Sequence, residues 1–232
     1  MTEQLKIEGY KFRHSICFYA MLICGLAITI SAGYGYVAKS HVTDLMRAFN
    51  EEVPDVSIFF LPTLFTAWYI GANFSNRTVQ HDVITGHSRL SIIISRAIPC
   101  IFAGIVIQAL EVTSLILTMG SKLGFDTFDM SLRNLAWIGT VVLQIAALEC
   151  FLVFIGFLCC SLPVGIIATL ITEFVMCNIM RNYVTQAWYK YSFFHLAEST
   201  ETPVLIKSAV VAVISIPALI ALAYLVFRKR EI

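Results

Sequence analysis

Residues 14–38, 56–76 and 208–227 contain no aspartate, glutamate, lysine or arginine. The hydrocarbon core of a bilayer is about 30 Å thick, so about 20 apolar residues in a helix cross it. Each of these three stretches is long enough to cross alone. Residues 97–121 are interrupted only by Glu111, and residues 134–180 only by Glu149 and Glu173. The last stretch is too long for one crossing and fits two. A break is expected near Cys159-Cys160-Ser161-Leu162-Pro163, because proline suits the start of a helix and not its middle. The pattern predicts an all-α polytopic membrane protein, a single transmembrane domain over residues 1–232. Its six spans fall at 15–38, 56–75, 93–119, 135–159, 162–180 and 206–227. Barrel strands alternate polar and apolar residues over about 10 positions, and these runs do not alternate. Hydrophobic residues make up 58% of the chain and charged ones 13%, about half the charge a soluble domain carries. That is too little to coat a soluble enzyme, and the chain is too apolar for disorder.

Sixteen Lys/Arg against fifteen Asp/Glu leave a net charge of +1, which gives no case for nucleic-acid binding. Placement of the charges says more. Basic residues favour the cytoplasmic side of short loops. With the N-terminus inside, Lys6, Lys11, Arg13, Arg77, Arg89, Arg96, Arg228, Lys229 and Arg230 fall on that side. Lys39, Arg47, Lys122, Arg133, Arg181, Lys190 and Lys207 fall opposite, accompanied by most of the loop acids. Both termini are therefore expected inside, in the cytoplasmic membrane. The first apolar run exceeds the 7–15 residues of a signal-peptide core and lacks a small-x-small cleavage site, so it reads as a retained span. All seven cysteines fall in or at the ends of spans, which excludes a disulfide framework in the outer loops and suits small apolar packing residues. The sequons at Asn73 and Asn76 lie at the inner end of span two and read as chance.

The segment 71–96 carries Arg77, Arg89, Arg96, His81 and His87 with one acid, Asp82. Asn76 is placed to start a short helix over Thr78 to Ile84 that Gly86 ends. By composition alone this is an ordinary basic loop. Its pattern, Gly71-x-x-Phe74, then Arg77-Thr78, Gly86-x-Ser88-Arg89 and Ser95-Arg96, resembles the first inner loop of ABC type-2 permeases, small bacterial peptide-export and immunity permeases in particular. Arg77 stands where those usually have glycine, and Arg96 where they usually have lysine. The resemblance covers the whole chain by architecture and residues 71–96 by motif. It implies the ABC type-2 exporter fold and a permease subunit that pairs with separate ATPase subunits. Those subunits would bind ATP and Mg, with no cofactor in this chain. The loop would be a coupling helix, with Arg77, His81, Asp82, His87 and Arg89 as contacts. It further implies a homodimer or heterodimer formed through spans one and five, and a short re-entrant hairpin in the aromatic outer segment 183–194. On composition alone that segment reads as an aromatic belt at the water–lipid boundary. The cargo suggested by the family's peptide-export members is a peptide or similar amphipathic molecule, an antimicrobial peptide among them.

No segment reads GxxxxGK[ST], the loop that cradles nucleotide phosphates, so any ATPase motor is expected in another chain. The intramembrane acids are the other candidates. Glu111 shares a helix face with Gln108, Ser114, Leu115 and Thr118. Glu173 lies on a stripe with Gly165, Thr169 and Cys177, and span one carries Gly25, Thr29 and Gly33. Small residues four apart let helices approach closely, so spans one and five are expected to pack closely, within the subunit or across a dimer. Glu111, Glu149 and Glu173 either hold helices together or line a substrate path, Glu173 being the leading path residue. Residues 2–14 read as an interfacial helix. The competing reading is a secondary transporter or channel that uses the intramembrane glutamates, for which Pro62, Pro99 and Pro217 are possible helix breaks. An intramembrane enzyme is disfavoured, because the five histidines lie in loops or at span ends.

Overall fold

A computed structural model of the chain describes residues 2–39, 45, 60–125, 132–175, 191–194 and 202–229, the side chains of Thr2, Glu3, Lys39, Arg133 and Glu173 excepted. Among them the secondary structure is helical throughout. The helices are α1 (Thr2–Arg13), α2 (Ile16–Lys39), α3 (Phe60–Ser75), α4 (Thr78–Ile84), α5 (Arg89–Leu123), α6 (Leu132–Cys159), α7 (Leu162–Glu173) and α8 (Thr202–Arg228). Four of them, α2, α5, α6 and α8, are long and apolar enough to cross a membrane. The described parts of α3 and α7 have 16 and 12 residues. At 1.5 Å per residue they reach about 24 and 18 Å, short of the ~30 Å core. Residues 56–59 and 176–180, which complete the two expected spans, lie outside the described residues.

Local chemistry sets the boundaries. Ser88 caps α5, its hydroxyl accepting from the Ser91 amide at 3.2 Å. Gly124, at φ 84°, closes the other end. The long apolar run breaks where proline suggests it. Cys160 turns left-handed at φ 51°, Ser161 is extended, and Leu162-Pro163 open α7. Pro99 and Pro217 do not break their helices, because α5 and α8 run through both.

The long helices play unequal parts. In α6 67% of the most apolar window is buried and in α5 56%, against 22% in both α2 and α8. So α5 and α6 form the centre, with α2 packed on α5 and α8 packed most extensively on α6. The outward faces of α2 and α8 carry Ile16, Ile23, Ile214 and Leu225, all more than half exposed, as lipid-facing helices should. One core cluster joins Phe18, Phe65, Ile92, Ala97, Val153, Phe157 and Phe227. A second joins Leu115, Met119, Ile145, Leu148 and Leu152.

The end of α3, the starts of α5 and α7, the ends of α6 and α8, and α1 all meet at one end of the bundle, called here the basic end. Gly71 of α3 backs directly on Leu162 of α7, where a Cβ would stand 2.7 Å from the Leu162 Cα. Phe74 meets Phe157 edge-on at 5.3 Å. The Gly71-x-x-Phe74 pattern is thus a packing pattern, with the glycine allowing backbone contact. Helix α1 lies against the bundle by Gln4, Glu8 and Phe12, the last packed on Phe18 and Phe65. The Tyr69 hydroxyl donates to Glu8 at 2.5 Å, and the Ser91 hydroxyl donates to Gln4 at 2.7 Å. Ile7 and Tyr10, 56% and 68% exposed, point away from the bundle, the arrangement of an interfacial helix.

Candidate functional site

The short helix α4 spans the residues its sequence indicates. Its start differs, because Arg77 rather than Asn76 is the capping residue, at φ 57° and ψ 16°. That left-handed conformation costs a residue with a Cβ about 1–2 kcal/mol, which glycine would not bear. Asn73 supports the turn from beneath. Its amide donates to the Tyr69 carbonyl at 2.9 Å, and its own oxygens accept from the Thr78 hydroxyl at 2.8 and 2.9 Å. Val79, fully buried, anchors the helix, and Gly86 at φ 86° ends the turn behind it.

The charged residues of this loop divide into two groups. Asp82 and Arg89 are bound into the fold. Arg96 is 1% exposed and donates from Nη2 to Asp82 at 2.5 Å and from Nη1 to the Ile92 carbonyl at 3.3 Å. Arg89 donates from Nη1 to the carbonyls of Phe227 and Arg228, both at 2.6 Å, and its guanidinium stands 5.5 Å from the centre of the Phe227 ring. It thereby supplies the unpaired carbonyls and negative dipole end of α8 with a cation. Arg77, His81 and His87 are exposed, together with Gln80 and Ile84. The structure therefore places the five predicted contacts along α4, the turn behind it and the first residue of α5. Three of them face outward, and two brace the loop against α5 and α8.

Glu111 and Glu149 are buried, at 4% and 0% exposure, and among the described residues neither has a cation at ion-pair distance. Thr66 of α3 donates to Glu149 Oε2 at 2.5 Å, while Oε1 lies over Gly104 of α5 without a hydrogen-bond partner. Glu149 thus stands where α3, α5 and α6 meet. Glu111 faces Gly25, where a Cβ would stand 2.9 Å from its Oε1. One turn on, the hydroxyls of Thr29 and Ser114 bond to each other, and a Cβ on Gly33 would stand 3.1 Å from Thr118. The stripe Gly25, Thr29, Gly33 on α2 therefore fits the stripe Glu111, Ser114, Thr118 on α5. Sequence showed both faces without showing that they belong together. Thr169 is buried in α7, its hydroxyl donating to the Gly165 carbonyl at 2.9 Å, and α7 packs on α3 and α6. The side chain of Glu173 lies outside the described residues.

Of the aromatic stretch, residues 183–190 also lie outside the described residues. Residues 191–194 do not sit at the far end of α6, where a boundary belt would place them. The Ser192 carbonyl accepts from Gln144 Nε2 at 3.2 Å, and Phe193 and Phe194 pack on Phe151 with ring centroids 5.8 and 5.1 Å away. Gln144 lies about 18 Å along α6 from Leu132, and Phe151 about 12 Å from Cys159. This segment therefore lies against the middle of α6, where the buried Gln144 amide and the partly buried Phe151 ring offer it partners. Sequence reasoning missed Glu8, Tyr69 and the Asp82–Arg96 pair. The lone acid among three arginines hinted at a pair, but nothing local chose among the three.

The chain matches no protein-family model, no curated protein and no solved structure.

Proposed function

We propose that this chain is the transmembrane permease subunit of an ATP-driven exporter of the ABC type-2 kind. It would have six crossings and lie in the cytoplasmic membrane with the basic end and both termini inside. Separate ATPase subunits bind ATP and Mg and dock on α4. Two permease copies, or this chain and a related one, form the path. The exported molecule is a peptide or another amphipathic compound, an antimicrobial peptide among the candidates. The observation that carries the reading is the loop itself. An exposed Arg77 is kept in a glycine-like conformation beside exposed His81 and His87, on a helix braced from behind by Asp82–Arg96 and Arg89. Strain retained at an exposed cation points to a use outside the fold. A braced helix transmits a push to α5 and α8 instead of yielding to it.

The test is co-purification with an ATPase and export by the reconstituted pair. Arg77→Glu combined with His81→Glu is expected to abolish ATPase capture and export at unchanged membrane level. Capture and export at the original level would overturn the reading. Glu173→Gln is expected to lower export while dimerisation persists. A secondary transporter or channel is the second reading, favoured by two buried acids that have no cation at ion-pair distance among the described residues. It predicts transport that continues with no ATPase present.

A further inference from the structure

Helix α1 sorts its charges by side. Glu8 is 3% exposed and turned to the bundle, where it accepts from the Tyr69 hydroxyl and, at 2.8 Å, from Lys11 Nζ. Lys6, Tyr10 and Arg13, spaced i, i+4 and i+7, share the opposite face and are exposed. Among the described residues no acid lies within ion-pair distance of Lys6 or Arg13. The last carbonyls of the helix, which would repel an anion, are already engaged. The Tyr19 hydroxyl donates to the Arg13 carbonyl at 3.0 Å, the Ser15 amide to that of Phe12 at 3.1 Å, and the His14 amide to that of Tyr10 at 3.2 Å. The Tyr19 bond also fixes what lies beside this face. Ile16, Tyr19 and Ile23, spaced i, i+3 and i+7, are 85%, 48% and 68% exposed and form the outward stripe with which α2 enters the bilayer. A basic face thus runs into a lipid-facing one.

We propose that the outward face of α1 binds the headgroups of anionic phospholipids, with Lys6 and Arg13 on the phosphates and the Tyr10 hydroxyl as an added donor. Lys6 and Arg13 stand about 10 Å apart along the helix, so they serve neighbouring headgroups rather than one. The acyl chains lie along Ile16, Tyr19 and Ile23. Charge selects the lipid. A zwitterionic headgroup brings its own cation against Lys6 and Arg13, whereas an anionic one brings only negative charge. The burial of Glu8 against Tyr69 matters here, because an acid on the outward face would cancel one of the two cations. A free phosphate meets the same cations but gains nothing from the stripe on α2. An acidic protein segment fits less well, because Ile7 and Tyr10 are exposed beside the cations and the helix sits at the foot of a lipid-facing span. The inference needs only that α2 crosses the membrane, and stands whether or not an ATPase drives the chain.

The test titrates the full chain in neutral detergent micelles with dioleoyl lipids and counts the bound lipid by native mass spectrometry. Phosphatidylglycerol is expected to bind about tenfold more tightly than phosphatidylcholine, and the preference to shrink as ammonium acetate is raised. Lys6→Gln combined with Arg13→Gln is expected to bring the two lipids within about twofold of each other. Lys6→Arg combined with Arg13→Lys, which keeps both charges, is expected to keep the preference. Lys229→Gln, which removes an exposed cation at the end of α8 instead, is expected to leave it unchanged. Equal binding of the two lipids by the unaltered chain overturns the proposal. So does an undiminished preference in the Lys6→Gln/Arg13→Gln variant, or an equal loss in Lys229→Gln. Glycerophosphoglycerol, the headgroup without its chains, is expected not to compete with the lipid. If it displaces the lipid at equal concentration, the site is one for free phosphate. If a glutamate-rich peptide does so, the face docks a protein. The proposal falls in either case.

Discussion

At the basic end Asp82 meets Arg96 at 2.5 Å and Arg89 holds two helix-terminal carbonyls. Deeper in the bundle, Glu149 accepts from a threonine hydroxyl and lies against a glycine, and Glu111 lies over another glycine. The first region joins its elements by opposite charges partly open to water, with Asp82 26% exposed. The second joins helices by close approach, where a small residue makes room for a polar one. The difference follows from the medium. An ion pair at the bundle end is partly hydrated on one side, whereas two charges at mid-bilayer lose far more solvation than they regain. The basic end is therefore the stiff connection between loop and bundle. The interior contacts are shape-dependent and give when a methyl group is added.

That comparison breaks first at Asp82. Asp82→Ala leaves the Arg96 guanidinium buried without a countercharge and is expected to cost about 3 kcal/mol in denaturant unfolding in micelles. Adding Arg96→Met should restore part of the loss. A loss under about 1 kcal/mol would mean that the pair does not join loop to bundle. In the interior, Gly104→Ala drives a methyl group against Glu149 and is expected to cost about 2 kcal/mol. Placed in a Glu149→Ala background, the same change should cost about half as much. Equal costs in the two backgrounds would show that the acid does not occupy the space beside the glycine. Thr66→Val removes the hydroxyl that donates to Glu149 and is expected to cost about 1 kcal/mol in the same unfolding measurement. The smallest effect has the opposite sign. Arg77→Gly is expected to add about 0.5 kcal/mol of stability by relieving the left-handed backbone, while weakening ATPase capture. A variant that gains stability and keeps full capture would leave Arg77 with no role in docking.

Much of the architecture was legible because membrane helices are written in local terms. Charge-free runs gave α2, α5, α6 and α8 to within a few residues. Ser161-Leu162-Pro163 marked a break that the left-handed Cys160 now explains. Gly86 and the residues before it gave α4, though the left-handed Arg77 was hidden, since nothing in an arginine announces a positive φ. Partners were not legible. Thr29 and Ser114 are 85 positions apart, Tyr69 and Glu8 are 61 apart, and Arg89 and Phe227 are 138 apart. A stripe of small residues shows which side of a helix is crowded, but the helix that crowds it is set by the packing of all the others. The candidate site divides along the same line. The five loop residues were named from their pattern, but only the coordinates show that Asp82 and Arg89 are turned inward.

The Arg89 clamp also bears on how the chain is built. Its acceptors lie 138 residues further along, at the end of the last described helix. During synthesis α5 enters the membrane with its arginine open, and α6 and α7 must be threaded before α8 supplies the two carbonyls. The basic end therefore closes late, after the interior helices have found their places. Until then α4 is held by Val79, Val83, Asn73 and the Asp82–Arg96 pair. A nascent chain stalled before residue 227 should present a loop more open to protease than the finished protein does, with Arg89 among the first bonds exposed.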